Sequence, residues 1–100
     1  MKYFVLEGSF VENHPKGAEL EELIRAHLEY LRIGFDAGSI LLSGPKAGAG
    51  GGVIVLKCES GSDVQDFCKE DPLFQAGIQQ YRITEFGFHD CQGPIKYWFD

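Results

Sequence analysis

The order of apolar runs along this chain predicts an α+β fold: strand, helix, strand, strand, helix, strand, with a four-stranded antiparallel sheet carrying both helices on one face. Three observations support it. Branched and aromatic residues gather in four short runs bounded by Gly, Pro, Asn or Asp. A long stretch after the first run carries apolar residues three and four apart, and a shorter stretch of the same kind follows the third run. One hundred residues with 44% hydrophobic content suffice for one core and are too few for two.

Residues 3–10 (YFVLEGSF) read as the first strand, closed off by Asn13, His14, Pro15 and Gly17. Residues 20–35 then form the helix around which the rest is organised, with Leu20, Leu23, Ile24, Leu28, Leu31 and Phe35 on one stripe. Glu19, Glu21, Glu22, Arg25, Glu29 and Arg32 fall mostly on the opposite face, acidic first, as the helix dipole favours, and Gly38 is placed to end it. Residues 39–43 (SILLS) and 53–58 (VIVLKC) are two further strands joined by a connection of Gly and Ala, which reads as a hairpin with a mobile, chemically passive loop. Ser62 can cap a second helix that turns Val64, Phe67 and Cys68 inward. Residues 80–88 (QYRITEFGF) form the last strand, so that 1–88 is the folded body and 89–100 a C-terminal tail. That tail ends in Tyr97, Trp98 and Phe99, an aromatic group that should fold back on the body or on a partner.

This order is the split βαβ, or ferredoxin-like, pattern. A sheet covered on one face alternates apolar and polar residues. Phe4-Val5-Leu6, Ile40-Leu41-Leu42 and Val53-Ile54-Val55-Leu56 do not alternate. With no third layer in so short a chain, a second copy packed sheet to sheet is the expected cover, which makes the protein a homodimer.

Composition narrows the partners. A formal charge of -6, with Lys57, Lys69, Arg82 and Lys96 dispersed, provides no footprint for nucleic acid or an anionic membrane. No apolar run approaches the roughly 20 residues that cross a bilayer, and no leader-like segment opens the chain. Cys58, Cys68 and Cys91 are an odd number without a CxxC pair, which fits reduced thiols in a cytoplasmic protein. His14, His27 and His89 share no metal-ligand spacing, so no metal site and no cofactor is expected. The glycine-rich loop at 44–52 (GPKAGAGGG) lacks the GK[ST] ending of a phosphate loop and precedes a strand, not a helix.

Two residues carry chemistry. His27 lies inside the apolar stripe of the long helix, where Leu would serve stability better. It is either a core histidine donating to a backbone carbonyl or an imidazole facing a pocket. Asp71-Pro72 is a helix-start signal, the carboxylate capping the first turn, with Gly77 available to end it. Because both helices lie side by side on the sheet, Asp71 can also approach His27. An Asp accepting from one imidazole nitrogen fixes the tautomer and leaves the other nitrogen as a general base or acid.

Ala26-His27-Leu28, the stretch 38–45 (GSILLSGP), the stretch 52–56 (GVIVL) and Glu70-Asp71-Pro72-Leu73-Phe74 with Ala76-Gly77 resemble, in that order, the YCII-related (YciI-like) family. The resemblance runs from residue 1 to about 88. It implies a dimeric α+β barrel of ferredoxin-like subunits with a His-Asp pair, here His27 and Asp71, beside a cleft. It also implies elimination or isomerisation of small, often ring-containing compounds. Such proteins commonly carry Arg three residues before the histidine; Ile24 stands there, and Arg25 is one place on. Ser43, Gly44 and Pro45 would bring a hydroxyl and backbone groups near the pair as a substrate-binding edge, or else form an ordinary strand end and turn. Two functions therefore compete: a cofactor-independent lyase or isomerase using His27 and Asp71, and a small-molecule binding or sensing module with the same pocket. Cofactor-free oxygenation is a third possibility that rests on barrel architecture alone.

Overall fold

A computed structural model describes residues 1–48 and 50–100. The chain runs β1 (Lys2–Phe10), α1 (Gly17–Asp36), β2 (Ile40–Pro45), β3 (Gly51–Cys58), α2 (Gly61–Glu70), α3 (Pro72–Gln75) and β4 (Gln79–Phe86). A 3-10 segment, Gly93–Phe99, follows. The strands form one sheet in the order β2-β3-β1-β4, every neighbouring pair antiparallel. The first strand is thus central, which explains its apolar character. Phe4 and Leu6 point inward with Ile40, Ile54 and Leu56, and Leu31 of α1 with Val64 and Cys68 of α2 close the core over them.

Local signals set the ends. Gly38 adopts φ +80, the left-handed conformation suited to the residue after a helix, and α1 ends at Asp36 with Ala37 as its cap just before it. The cap of α2 is Ser60, whose side chain accepts from the Asp63 backbone N–H, not Ser62, which lies one residue inside the helix. Ser60 has the extended backbone (φ -148, ψ 165) that lets its hydroxyl reach back to the first turn. Both hairpin strands run further into the glycine-rich stretch than side-chain propensity suggests, to Pro45 and from Gly51. Cross-strand pairing of Pro45 with Gly52, and of Gly8 with Gly52, holds these residues in the ladder without side-chain help. Of the connection read as residues 44–52, Ala49 lies outside the described residues. Gly50 and Gly51 are tied back by hydrogen bonds from Phe10 and Lys46.

The C-terminal segment folds back on the face of the sheet opposite Phe4 and Leu56. Trp98 is buried: its indole N–H donates to the Gly38 carbonyl at 2.8 Å, and Lys57 Nζ donates to its carbonyl at 2.6 Å. Tyr3 packs on both Trp98 and Phe99 and donates its hydroxyl to the Phe99 carbonyl at 3.0 Å. Part of the second apolar face is therefore covered by the chain itself. The row Leu42, Val55 and Val5, aligned across β2, β3 and β1, lies on that same face with Leu42 exposed and the two valines half-buried.

Candidate functional site

A cleft of about 430 Å³ opens between α1 and the end of the sheet where β1, β2 and β3 carry glycine. Gly8 and Gly52 face each other in register there, so the inner surface of the sheet is backbone where side chains would otherwise meet α1. Ile24, His27, Leu28 and Leu31 form the helical wall. Leu28 is 57% exposed, so the apolar stripe of α1 serves two purposes: Leu31 fills the core, and Leu28 lines the open cleft.

His27 and Asp71 meet. His27 Nδ1 lies 2.7 Å from Asp71 Oδ1, with the imidazole 14% exposed and the carboxylate fully buried. The local chain explains the approach. Asp71 ends α2 and caps α3 in an extended conformation (φ -65, ψ 127), Pro72 fixes the first position of α3, and the Leu73 backbone N–H donates to Oδ1 at 3.1 Å. Both readings of Asp71 therefore hold at once: it is a helix cap and the partner of His27.

Two residues of β4 complete the carboxylate's surroundings. Gln79 Nε2 donates to Oδ2 at 3.3 Å, and the Tyr81 hydroxyl donates a short hydrogen bond to the same oxygen. The Leu73 backbone N–H can only donate, and Gln79 turns its NH2 group to the carboxylate, so the carboxylate is an acceptor toward each. His27 Nδ1 completes the set as a donor, which leaves Nε2 with the lone pair. Nε2 has no protein partner among the described residues and is not sealed from solvent, so it opens to the cleft. Burial, then the hydrogen bond to Asp71 and its charge, push the Tyr81 phenol well above its ordinary range, so it stays a neutral donor.

Ser43, Gly44 and Pro45 line the same cleft from β2. Arg25 does not: it points to solvent and pairs with Glu22, while Ile24 takes the cleft-facing place. Among the described residues no group of three His, Cys, Asp or Glu side chains gathers as a metal site. Gln79 escapes sequence reasoning because β4 reads from residue 80, and Tyr81, inside that strand, because its approach to Asp71 depends on pairing with β1. One signal is available: Gln79, Tyr81 and Ile83 alternate onto the helix-facing side, and a buried Gln there needs a partner.

The family model of the YCII-related domain matches residues 1–87. The chain belongs to the YCII-related family. No curated protein matches it. Among solved structures, the YCII-related chain is similar to 5-chloro-2-hydroxyhydroquinone dehydrochlorinase (TftG) from Burkholderia phenoliruptrix AC1100, in complex with 2,5-dihydroxybenzoquinone. The identity is 20%, with 87% of this chain and 95% of that one covered and a TM-score of 0.72, so the likeness is one of fold. No helix of the YCII-related chain, among its described residues, is long and apolar enough to cross a membrane.

Proposed function

We propose that this protein is a cofactor-independent lyase or isomerase acting on a small ring-containing compound, with His27 as the proton carrier and Asp71 as its orienter. The observation that carries the reading is the 2.7 Å contact that directs His27 Nδ1 at a buried carboxylate while Nε2 opens to the cleft. Nε2 takes a proton from an acidic C–H or O–H of the bound compound, and the imidazolium is held against Asp71. The electron pair released forms a new double bond. Return of the proton to another atom gives an isomer; departure of an anionic group from the neighbouring carbon gives elimination, with proton and leaving anion as the second product. Ser43, Gly44 and Pro45 bind the compound at the β2 edge. The fold shared with a dehydrochlorinase supports elimination on a hydroxylated ring.

The same reading takes residues 1–88 as a ferredoxin-like body, 89–100 as its tail, and the row of exposed Leu42 and half-buried Val55 and Val5 as the contact between two copies of a dimeric barrel. The unpaired thiols of Cys58, Cys68 and Cys91 suit the cytoplasm. The test uses 2,5-dihydroxybenzoquinone as the binding probe and halogenated hydroquinones in deuterated water as reactants. Binding should raise the melting temperature. Solvent deuterium or loss of halide should then appear in the wild type and vanish in His27→Gln, which keeps the probe's affinity. Probe binding without any proton transfer would favour a binding or sensing module instead.

A further inference from the structure

The geometry points to Gln79 and Tyr81 as positioning residues for Asp71, with Gly8 as the space that admits Gln79. The inference rests on the reading of His27 and Asp71 as the working pair, but its test needs no turnover. Gly8 is buried near the C-terminal end of β1, paired with Tyr81 on one side and Gly52 on the other. A Cβ placed on it would lie 2.5 Å from Gln79 Cδ, 2.7 Å from Oε1 and 2.8 Å from Nε2. The whole Gln79 amide therefore lies against the bare face of Gly8, 4% exposed, and from there its Nε2 reaches Asp71 Oδ2. No other side chain could occupy position 8 without displacing it.

The consequence is a division of labour between the two carboxylate oxygens. Oδ2 is gripped from the sheet by Gln79 and Tyr81, and Oδ1 is left to the Leu73 N–H and His27. Two donors on Oδ2 fix the plane of the carboxylate, which keeps Oδ1 aimed at Nδ1. They also spread its negative charge, so that less of it stabilises a proton on the imidazole. Among the described residues, Asp71 from the α2–α3 corner is the charged partner of His27, and the polar side chains that share its cleft are Gln79 and Tyr81 from β4 and the uncharged Ser43 from β2. Removing a donor from Oδ2 should thus concentrate charge on Oδ1 and make the imidazolium easier to form.

The test is two-bond imidazole NMR on the full chain labelled with 15N-histidine, the His27 signal being assigned against His14 and His89 with His27→Gln. Wild-type protein should show the Nδ1–H tautomer. Gln79→Ala and Tyr81→Phe should each move the His27 signals' midpoint upward in pH relative to wild type. Gly8→Ala should reproduce the Gln79→Ala shift, and the double variant should shift no further than Gln79→Ala alone. If Gly8→Ala does not fold, folding regained in Gly8→Ala/Gln79→Ala supports the space argument, and failure of that double variant overturns it. A merely structural role would lower the melting temperature while leaving the midpoint in place. Unmoved midpoints in both Gln79→Ala and Tyr81→Phe, or additive shifts at Gly8 and Gln79, would overturn the proposal. Shifts as expected, with no proton transfer to or from any ring compound, would uphold the positioning chain and remove only the enzymatic reading.

Discussion

Asp71 is the residue whose removal should damage this protein most for its size. Replacing it with Ala deletes the cap of α3, about 1 kcal/mol by itself. It also leaves the amide of Gln79, 4% exposed, and the half-buried Tyr81 hydroxyl and His27 Nδ1 without their acceptor. Each buried donor so abandoned costs about 1–3 kcal/mol, partly offset because a buried charge has gone as well. The net loss should be about 3–5 kcal/mol, the lost cap plus the orphaned donors less the relief of removing a buried charge. For a domain this small that lowers the melting temperature by at least roughly 12 °C. Asp71→Asn should behave differently. Its oxygen can still accept from Leu73 N–H and His27, its amide can donate to a turned Tyr81 hydroxyl, and Gln79 can present its carbonyl, so the cost should be about 1 kcal/mol. Stability should survive while proton transfer collapses, because a neutral amide no longer supports the imidazolium. Chemical unfolding of both variants, with any turnover assay beside it, decides the matter. An Ala variant that loses only the cap's ~1 kcal/mol would refute the idea that four donors depend on this carboxylate.

Two further outcomes follow from packing and titration. Gly34→Ala should lose about 1–3 kcal/mol in urea unfolding, even though Ala favours helix by about 1 kcal/mol. The new Cβ would lie 2.4 Å from Cδ1 of buried Ile40, and a stabilised variant would contradict that contact. Stability should also fall in alkali. Burial and the charge of Asp71 push the Cys68 thiol up to about 12 from an ordinary 9.0, and the Tyr81 and Tyr30 phenols are raised above 10.0, chiefly by burial. A folded-state pKa raised above the unfolded one stabilises fully below the unfolded value. That contribution is lost as pH rises from about 9 through the folded values. Unfolding free energy measured from pH 7 to 11 should therefore decline above about pH 9, less steeply in Cys68→Ala, and a flat profile would contradict the shifts.

Residue types and spacing made much of this legible. The four strands and α1 could be read because their apolar periods are strong, and His27 stood out as a polar intrusion in an apolar stripe. Asp71 stood out through its Pro, and topology alone brought the two within reach. What escaped depends on three-dimensional register. Gln79 and Tyr81 reach Asp71 only because β4 pairs with β1 so that Tyr81 sits opposite Gly8, which no local pattern records. The cap falls on Ser60 and not on Ser62, the expected residue, because Ser60 has the extended backbone, which composition does not record. The seat of Trp98 on Tyr3 and beside Gly38 joins residues from opposite ends of the chain, and its aromatic cluster signals only that cover is needed, not where.

The cleft's floor carries a consequence for how such a site can change over time. A Cβ on Gly51 would fall 1.9 Å from the Gly8 carbonyl oxygen, and one on Gly52 would fall 2.9 Å from that of Gly44. On Gly50 it would meet the Phe10 ring at 2.6 Å. Gly51 and Gly52 cannot acquire side chains without moving backbone, and Gly50 cannot without displacing the Phe10 ring, so the floor is closed to gradual retuning. Leu31 is committed to the core. Of the apolar residues on the helical wall, Ile24 and Leu28 remain, two positions that face the opening, Leu28 with little packed around it. Divergence in what the cleft accepts would be written there first, and a laboratory seeking a new ligand should randomise those two residues while leaving the glycines alone.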